Sequence, residues 1–116
     1  MHKNAYRVGD GDYCVYVWRD ADKKPFYVGC GKHYRFHDVN EKSRSREFMS
    51  IYNNGGCYPE IVRYGMCDKE AREYEKGLIL AYAAGGANLV NKQYLVDYYH
   101  TPAKLSFYRK RRKTTV

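Results

Sequence analysis

Five side chains spread along the chain could together act on a phosphodiester. Tyr16 and Tyr27 carry phenols that could transfer protons. Arg35 offers a planar fork of N–H donors that matches the oxygens of a phosphate. Glu75 offers the hard carboxylate oxygen that magnesium prefers, and Asn91 completes the set. These residue types predict a cation for the phosphate, a ligand for a metal and phenols for proton transfer.

Two strands must position the tyrosines. Residues 13–20 are rich in β-branched and aromatic types that alternate in the manner of a strand. Residues 20–25 combine Asp, Lys and Pro, which is typical of a turn. Residues 26–30 then predict a returning strand. The resulting hairpin would place Tyr16 and Tyr27 on neighbouring strands.

The middle of the chain predicts a helix and a third strand. A helical stretch is expected from about residue 33 to Val39, and it would carry Arg35 near its start. Residues 40–46 are nearly all polar, which indicates a break or a solvent-facing surface. Apolar residues return before the stop at 53–56. Residues 58–64 predict the third strand.

The clearest amphipathic helix of the sequence should carry Glu75. Asp68 is the expected N-cap, and apolar side chains recur from Ala71 to Tyr82 at steps of three and four residues. The glycine pair at 85–86 should end the helix. Glu75 would lie at the edge of the apolar face, where a cleft could form. The order of elements predicts an α+β fold, with a small, mostly antiparallel three-stranded sheet packed on helices.

The chain divides into an arm over residues 1–12, one domain over residues 13–91 and an extension over residues 92–116. The 116 residues suffice for a single core, and the formal net charge of +8 favours an acidic polymer as partner. The extension ends in a basic run that we expect to bind nucleic acid as a weak arm, formed by Arg109, Lys110, Arg111, Arg112 and Lys113.

Membrane and zinc chemistry are not indicated. No apolar run approaches the length of a spanning helix, and no charged-then-apolar leader opens the chain, so we expect a cytoplasmic, intracellular protein that does not bind membranes. The four cysteines lack the close spacing of a zinc ribbon or finger and are expected to be reduced. The sequence leaves the oligomeric state open.

Five short motifs follow one another between residues 13 and 91. They are Cys14-Val15-Tyr16, Tyr27-Val28-Gly29, Gly31-Lys32-His33-Tyr34-Arg35, Ala71-x-x-x-Glu75-x-x-Leu78-Ile79 and Leu89-Val90-Asn91. In this order, and on these element types, they resemble the GIY-YIG nuclease family. The resemblance covers most of the chain, and five ordered elements are more specific than any single one.

The resemblance implies hydrolysis of DNA, most simply double-stranded, with a divalent cation such as Mg²⁺ or Mn²⁺. It implies that Arg35 is the catalytic arginine, that Glu75 binds the metal and that Asn91 closes the module. Tyr16 and Tyr27 would line the site, with Tyr16 as the favoured proton acceptor. Lys32, which lies between the second motif and Arg35, is expected to contact nucleic acid.

Two positions depart from the family's pattern. Cys14 stands where a glycine is usual, and Val39 stands where a histidine often follows the arginine by one helical turn. His37 lies two residues after Arg35 instead, so proton transfer, DNA contact and no role all stay open for it. The alternatives to a DNA endonuclease are a non-catalytic nucleic-acid-binding protein on the same fold and an RNA nuclease.

Overall fold

The computed structural model of the chain describes residues 6–32, 36–40 and 44–91. Four strands and two helices follow in the order β1 (Tyr6–Arg7), β2 (Tyr13–Arg19), β3 (Pro25–Lys32), α1 (Arg46–Asn53), β4 (Tyr58–Met66) and α2 (Asp68–Ala84). The elements form an α+β fold, which agrees with the predicted class. Within the described ranges, no helix is both long and apolar enough to cross a membrane.

The sheet is mixed and four-stranded, in the order β1-β4-β2-β3. β2 pairs antiparallel with both β3 and β4, while β1 pairs parallel with β4. The prediction of a three-stranded sheet is therefore wrong. It missed β1 because Tyr6–Arg7 is only two residues long and exposed, with no apolar alternation to mark it. β1 lies inside the segment predicted to be an arm.

Two apolar clusters cover the two faces of the sheet. On one face, Trp18 and Phe26 pack around Phe48 of α1, together with other buried residues. On the other face, Val15 and Val17 pack with Ala71 and other buried side chains of α2. Alternate residues of β2 thus enter opposite clusters, so β2 is buried on both faces. The short, strongly apolar run of this strand is typical of such a position.

Local contacts define where both helices begin. The hydroxyl of Ser45 accepts a hydrogen bond from the Phe48 N–H at 3.1 Å, which caps α1. Cys67 occupies the N-cap position of α2, and the Glu70 carboxylate accepts from its N–H at 3.0 Å. The prediction of Asp68 as N-cap is therefore wrong by one residue. Asp68 is the first helical residue, where its charge suits the positive end of the helix dipole.

The helix predicted from about residue 33 to Val39 is not found at residues 36–39, the part of it that the structure describes. Residues 36–37 form a turn, and residues 38–40 have no regular secondary structure. Asp, Val and Asn, which occupy these three positions, are all weak helix formers, and the polar sequence after them offers no apolar face to bury. Residues 33–35, including Arg35, lie outside the described residues.

Candidate active site

The first two motifs meet across the β2–β3 ladder. Tyr16 is paired with Gly29, and its ring lies directly over that glycine. A Cβ added at position 29 would come within 2.6 Å of the Tyr16 ring and hydroxyl. The glycine of the second motif therefore makes room for the tyrosine of the first. Cys14, which replaces the usual glycine of the first motif, is fully buried in the same cluster.

Burial makes Tyr16 a weak acid. Only 7% of the residue is exposed. This burial, helped by the neighbouring Tyr27 phenol, raises the pKa of Tyr16 to about 12, although Arg44 opposes the rise. The hydroxyl is therefore almost entirely protonated at neutral pH. It can donate a hydrogen bond readily, whereas proton acceptance requires that a cation or an alkaline solution deprotonate it first.

Tyr27 connects the tyrosine pair electrostatically to Glu75. It lies on β3, an edge strand of the sheet, and its ring meets Phe48 edge-on with centroids 5.4 Å apart. Burial raises the pKa of Tyr27, Arg44 opposes that rise, and the Glu75 carboxylate adds to it. Tyr16 and Tyr27 thus pack in one cluster of the sheet. Glu75 affects Tyr27 electrostatically, although α2 packs on the other face.

Glu75 lies on the inner side of α2 and is only 5% exposed. The prediction had placed it at the edge of the apolar face. Its Oε1 atom accepts a hydrogen bond from the Cys30 thiol at 3.5 Å. Burial raises the pKa of Glu75, and the Cys30 hydrogen bond and the nearby Arg72 guanidinium oppose that rise. A buried carboxylate that is costly to ionise, and whose hydrogen-bond donor among the described residues is a weak thiol, is suited to a cation.

The donor chemistry at Glu75 fits a hard divalent metal bound mainly through water. A carboxylate has acceptor positions beyond the one used by Cys30. Magnesium commonly keeps several waters and needs only one or two protein carboxylates. No group of three or more His, Cys, Asp or Glu side chains within residues 6–32, 36–40 and 44–91 could form an all-protein metal cage. Glu75 is therefore the one predicted ligand that the described structure supplies.

Arg44 is the functional candidate that the sequence reasoning missed. Its guanidinium carbon lies 5.1 Å from the centroid of the Tyr27 ring and 4.7 Å from that of Phe48. Its Nη2 atom donates to the carbonyl oxygen of Asp38 at 2.7 Å. The charge of Arg44, and then its hydrogen bonding, oppose the rise that burial causes in the pKa values of Tyr16 and Tyr27. The sequence offered one signal for Arg44, which is that it lies four residues before Phe48. This signal falls in the polar segment 40–46, which was predicted to be a break or a solvent-facing surface.

Asn91 is 5% exposed and holds the outer edge of β3. Its Oδ1 atom accepts from the Val28 N–H at 2.9 Å, and its Nδ2 atom donates to the Val28 carbonyl at 2.7 Å. The preceding Val90 N–H donates to the carbonyl of Phe26 at 2.8 Å. The side chain predicted as catalytic is thus engaged with the backbone, where it fixes the strand that carries Tyr27.

Replacing Asn91 with alanine should destabilise the fold by about 1–3 kcal/mol, because the Val28 N–H and carbonyl would lose their partners in a buried place. Urea unfolding monitored by the fluorescence of Trp18 would measure the loss. Asn88→Ala is the matched control, since Asn88 is exposed three residues earlier. An equal loss of stability in the two variants would contradict the role assigned to Asn91.

The remaining predicted residues have other contacts or lie outside the described residues. Lys32 forms an ion pair with Asp12 at 2.9 Å and lies 5.8 Å from the Tyr13 ring centroid. His37 is exposed, with its ring against Phe36. Arg35 and the predicted basic arm at residues 109–113 lie outside the described residues. The four cysteines are free, and no pair of them is joined.

Comparison with known proteins adds no relative. No protein family, curated protein or solved structure matches this chain.

Proposed function

We propose that this protein is a metal-dependent endonuclease of the GIY-YIG type that hydrolyses DNA phosphodiester bonds. The observation that best supports the proposal is the contact between the first two motifs, in which the Tyr16 ring lies over Gly29. The sequence order alone does not reveal this contact. The buried Glu75 carboxylate also raises the pKa of Tyr27, the tyrosine of the second motif.

Each side chain has a distinct task in the proposed reaction. Arg35 binds the scissile phosphate and stabilises the charge that develops on it. Tyr16 accepts the proton of the attacking water, and Tyr27 lines the site beside it. A divalent ion held by Glu75 would supply charge stabilisation for the departing oxygen. Asn91 keeps β3 in place through its two hydrogen bonds to Val28.

The substrate class follows from the net charge of +8 and from the type of chemistry. The direct experiment incubates the full-length protein and Mg²⁺ in separate reactions with supercoiled plasmid, single-stranded DNA and RNA. Cleavage of plasmid or single-stranded DNA supports the proposal. Cleavage of RNA alone would instead indicate an RNA nuclease. Binding to any of the three without cleavage would indicate a non-catalytic nucleic-acid-binding protein.

Tyr16→Phe should lower the cleavage rate by about a hundredfold, because it retains the ring over Gly29 and removes only the hydroxyl. The pKa of about 12 also determines the pH dependence. Below that value the ionised fraction of the phenol rises with pH, so the wild-type rate should rise by up to about tenfold per pH unit if tyrosinate is the base.

Single-turnover rates between pH 6.5 and 9 would test both expectations. In Tyr16→Phe the slope with pH should disappear. Tyr58→Phe is a control for loss of a tyrosine hydroxyl, since Tyr58 is 38% exposed at the start of β4. An unchanged rate and slope in Tyr16→Phe would reassign the proton acceptor, with His37 as the next residue to replace.

A further inference from the structure

Arg44 is held differently from Arg19 and Arg72, although Arg63 also lies over two aromatic rings. Arg19 and Arg72 each pair with a carboxylate, at 3.1 Å and 2.6 Å. Arg44 instead lies against two aromatic rings and donates to a backbone carbonyl. The Tyr27 and Phe48 rings are nearly perpendicular, at 87°, so the guanidinium lies in the corner that they form.

The elements that create this corner are rigid. Phe48 is 1% exposed and contacts Trp18 and Phe26, both in the core of the sheet. Ser45 caps α1 directly after Arg44, which fixes the backbone from which the arginine extends. The carbonyl of Asp38 holds one end of the guanidinium at 2.7 Å. Little freedom is therefore left to the side chain.

We propose that Arg44 is a positioning residue that orients the Tyr16 and Tyr27 hydroxyls toward the substrate of the site. The planar guanidinium has several N–H donors in fixed directions, so one arginine can direct the lone pairs of two phenols at once. A lysine ammonium at the same place would keep the charge, but it would lack the plane that packs in the aromatic corner.

The charges around Tyr16 are consistent with this role. Tyr27 of β3 and Cys14 of β2 both disfavour its ionised form, and Arg44 is the cation that favours it. Glu75 of α2 and Cys30 of β3 likewise disfavour the ionised form of Tyr27, and Arg44 again favours it. Arg44 thus acts in the same direction on both phenols.

The effect of Arg44 on catalysis rests on the proposed nuclease function, whereas its orientation of the two tyrosine hydroxyls does not. Two measurements separate the effect on catalysis from the orientation of the hydroxyls. The first is the ¹³Cζ tyrosine resonance of Tyr16 at neutral pH, assigned with Tyr16→Phe, which reports the hydrogen bonding of the hydroxyl. The second is single-turnover DNA cleavage with Mg²⁺, measured together with the Kd for DNA. The variants are Arg44→Lys and Arg44→Gln, with Arg46→Gln as control because Arg46 is exposed two residues later.

Both Arg44 variants should move the Tyr16 resonance and slow cleavage by about tenfold or more, with the Kd for DNA unchanged, because small errors in the placement of a reacting group are costly. Arg46→Gln should behave as wild type. An unchanged Tyr16 resonance in both Arg44 variants would overturn the proposal that Arg44 orients the hydroxyl. A weakened Kd with an unmoved resonance would likewise overturn it and identify Arg44 as a phosphate contact. If the wild type cleaves no DNA, the nuclease proposal and the catalytic part of this inference fail. The Tyr16 resonance alone then decides whether Arg44 orients the hydroxyl.

Discussion

Glu75→Gln should reduce magnesium-dependent cleavage by about a thousandfold, because several kcal/mol of charge stabilisation depend on a metal held by this carboxylate. Glutamine keeps the size of the side chain, removes its charge and replaces one acceptor oxygen with an NH2 donor. Because burial raises the pKa of Glu75, ionisation of this carboxyl at neutral pH lowers the stability of the folded state relative to the unfolded chain. The variant should therefore be as stable as the wild type or slightly more stable, while activity collapses.

Measurements of cleavage against Mg²⁺ concentration, together with thermal unfolding, would establish this separation of activity from stability. Glu73→Gln is the matched control, since Glu73 is an exposed residue of the same helix and should keep wild-type activity. Wild-type cleavage by Glu75→Gln would remove the metal role from Glu75. A loss of activity that merely follows unfolding would show that the carboxylate is needed for the fold and not for the reaction.

Phe48→Ala should have the largest effect on stability, about 3–5 kcal/mol. Phe48 is 1% exposed and lies within 5.4 Å, between ring centroids, of Trp18, Phe26 and Tyr27. Its removal leaves a cavity between α1 and the sheet, lined by rings whose positions are fixed by their own strands. Arg44 loses one wall of its corner in the same step.

Urea unfolding would measure this loss, and Tyr52→Ala would be its control. Tyr52 stacks on Phe48 from outside, with centroids 6.4 Å apart, and is 39% exposed, so its replacement should cost much less. If the two variants lost equal stability, the packing of α1 on the sheet would not depend on the buried ring.

The parts of the fold with a strong local signal could be predicted from the sequence. The β2–β3 hairpin and α2 each have an apolar pattern with clear boundary residues. β1 has no such signal, since the two residues Tyr6–Arg7 become a strand only when β4 is present to pair with them. The contacts of β1 are non-local, and a short exposed segment does not reveal its partner.

The residues of the candidate site likewise separate into those with a local sequence signal and those whose role depends on distant parts of the chain. Residue type and order suggested Tyr16, Tyr27 and Glu75; Tyr16 and Tyr27 pack in the same cluster, and the Glu75 carboxylate raises the pKa of Tyr27. The role of Asn91 as a backbone partner of Val28 depends on two residues 63 positions apart, which no local pattern reveals. Arg44 stayed hidden for a similar reason, because its importance comes from the ring of Tyr27 on another element.

The distance along the chain between Val28 and Asn91 also has a consequence during synthesis. A ribosome that adds about 5–20 residues per second needs roughly 3–13 seconds to make the 63 positions that separate them. Throughout that interval the outer backbone of β3 has no Asn91 to pair with, and an open strand edge can recruit a strand from another nascent chain. Until Asn91 reaches the folded strand, this edge of β3 is therefore open to association with a neighbouring nascent chain.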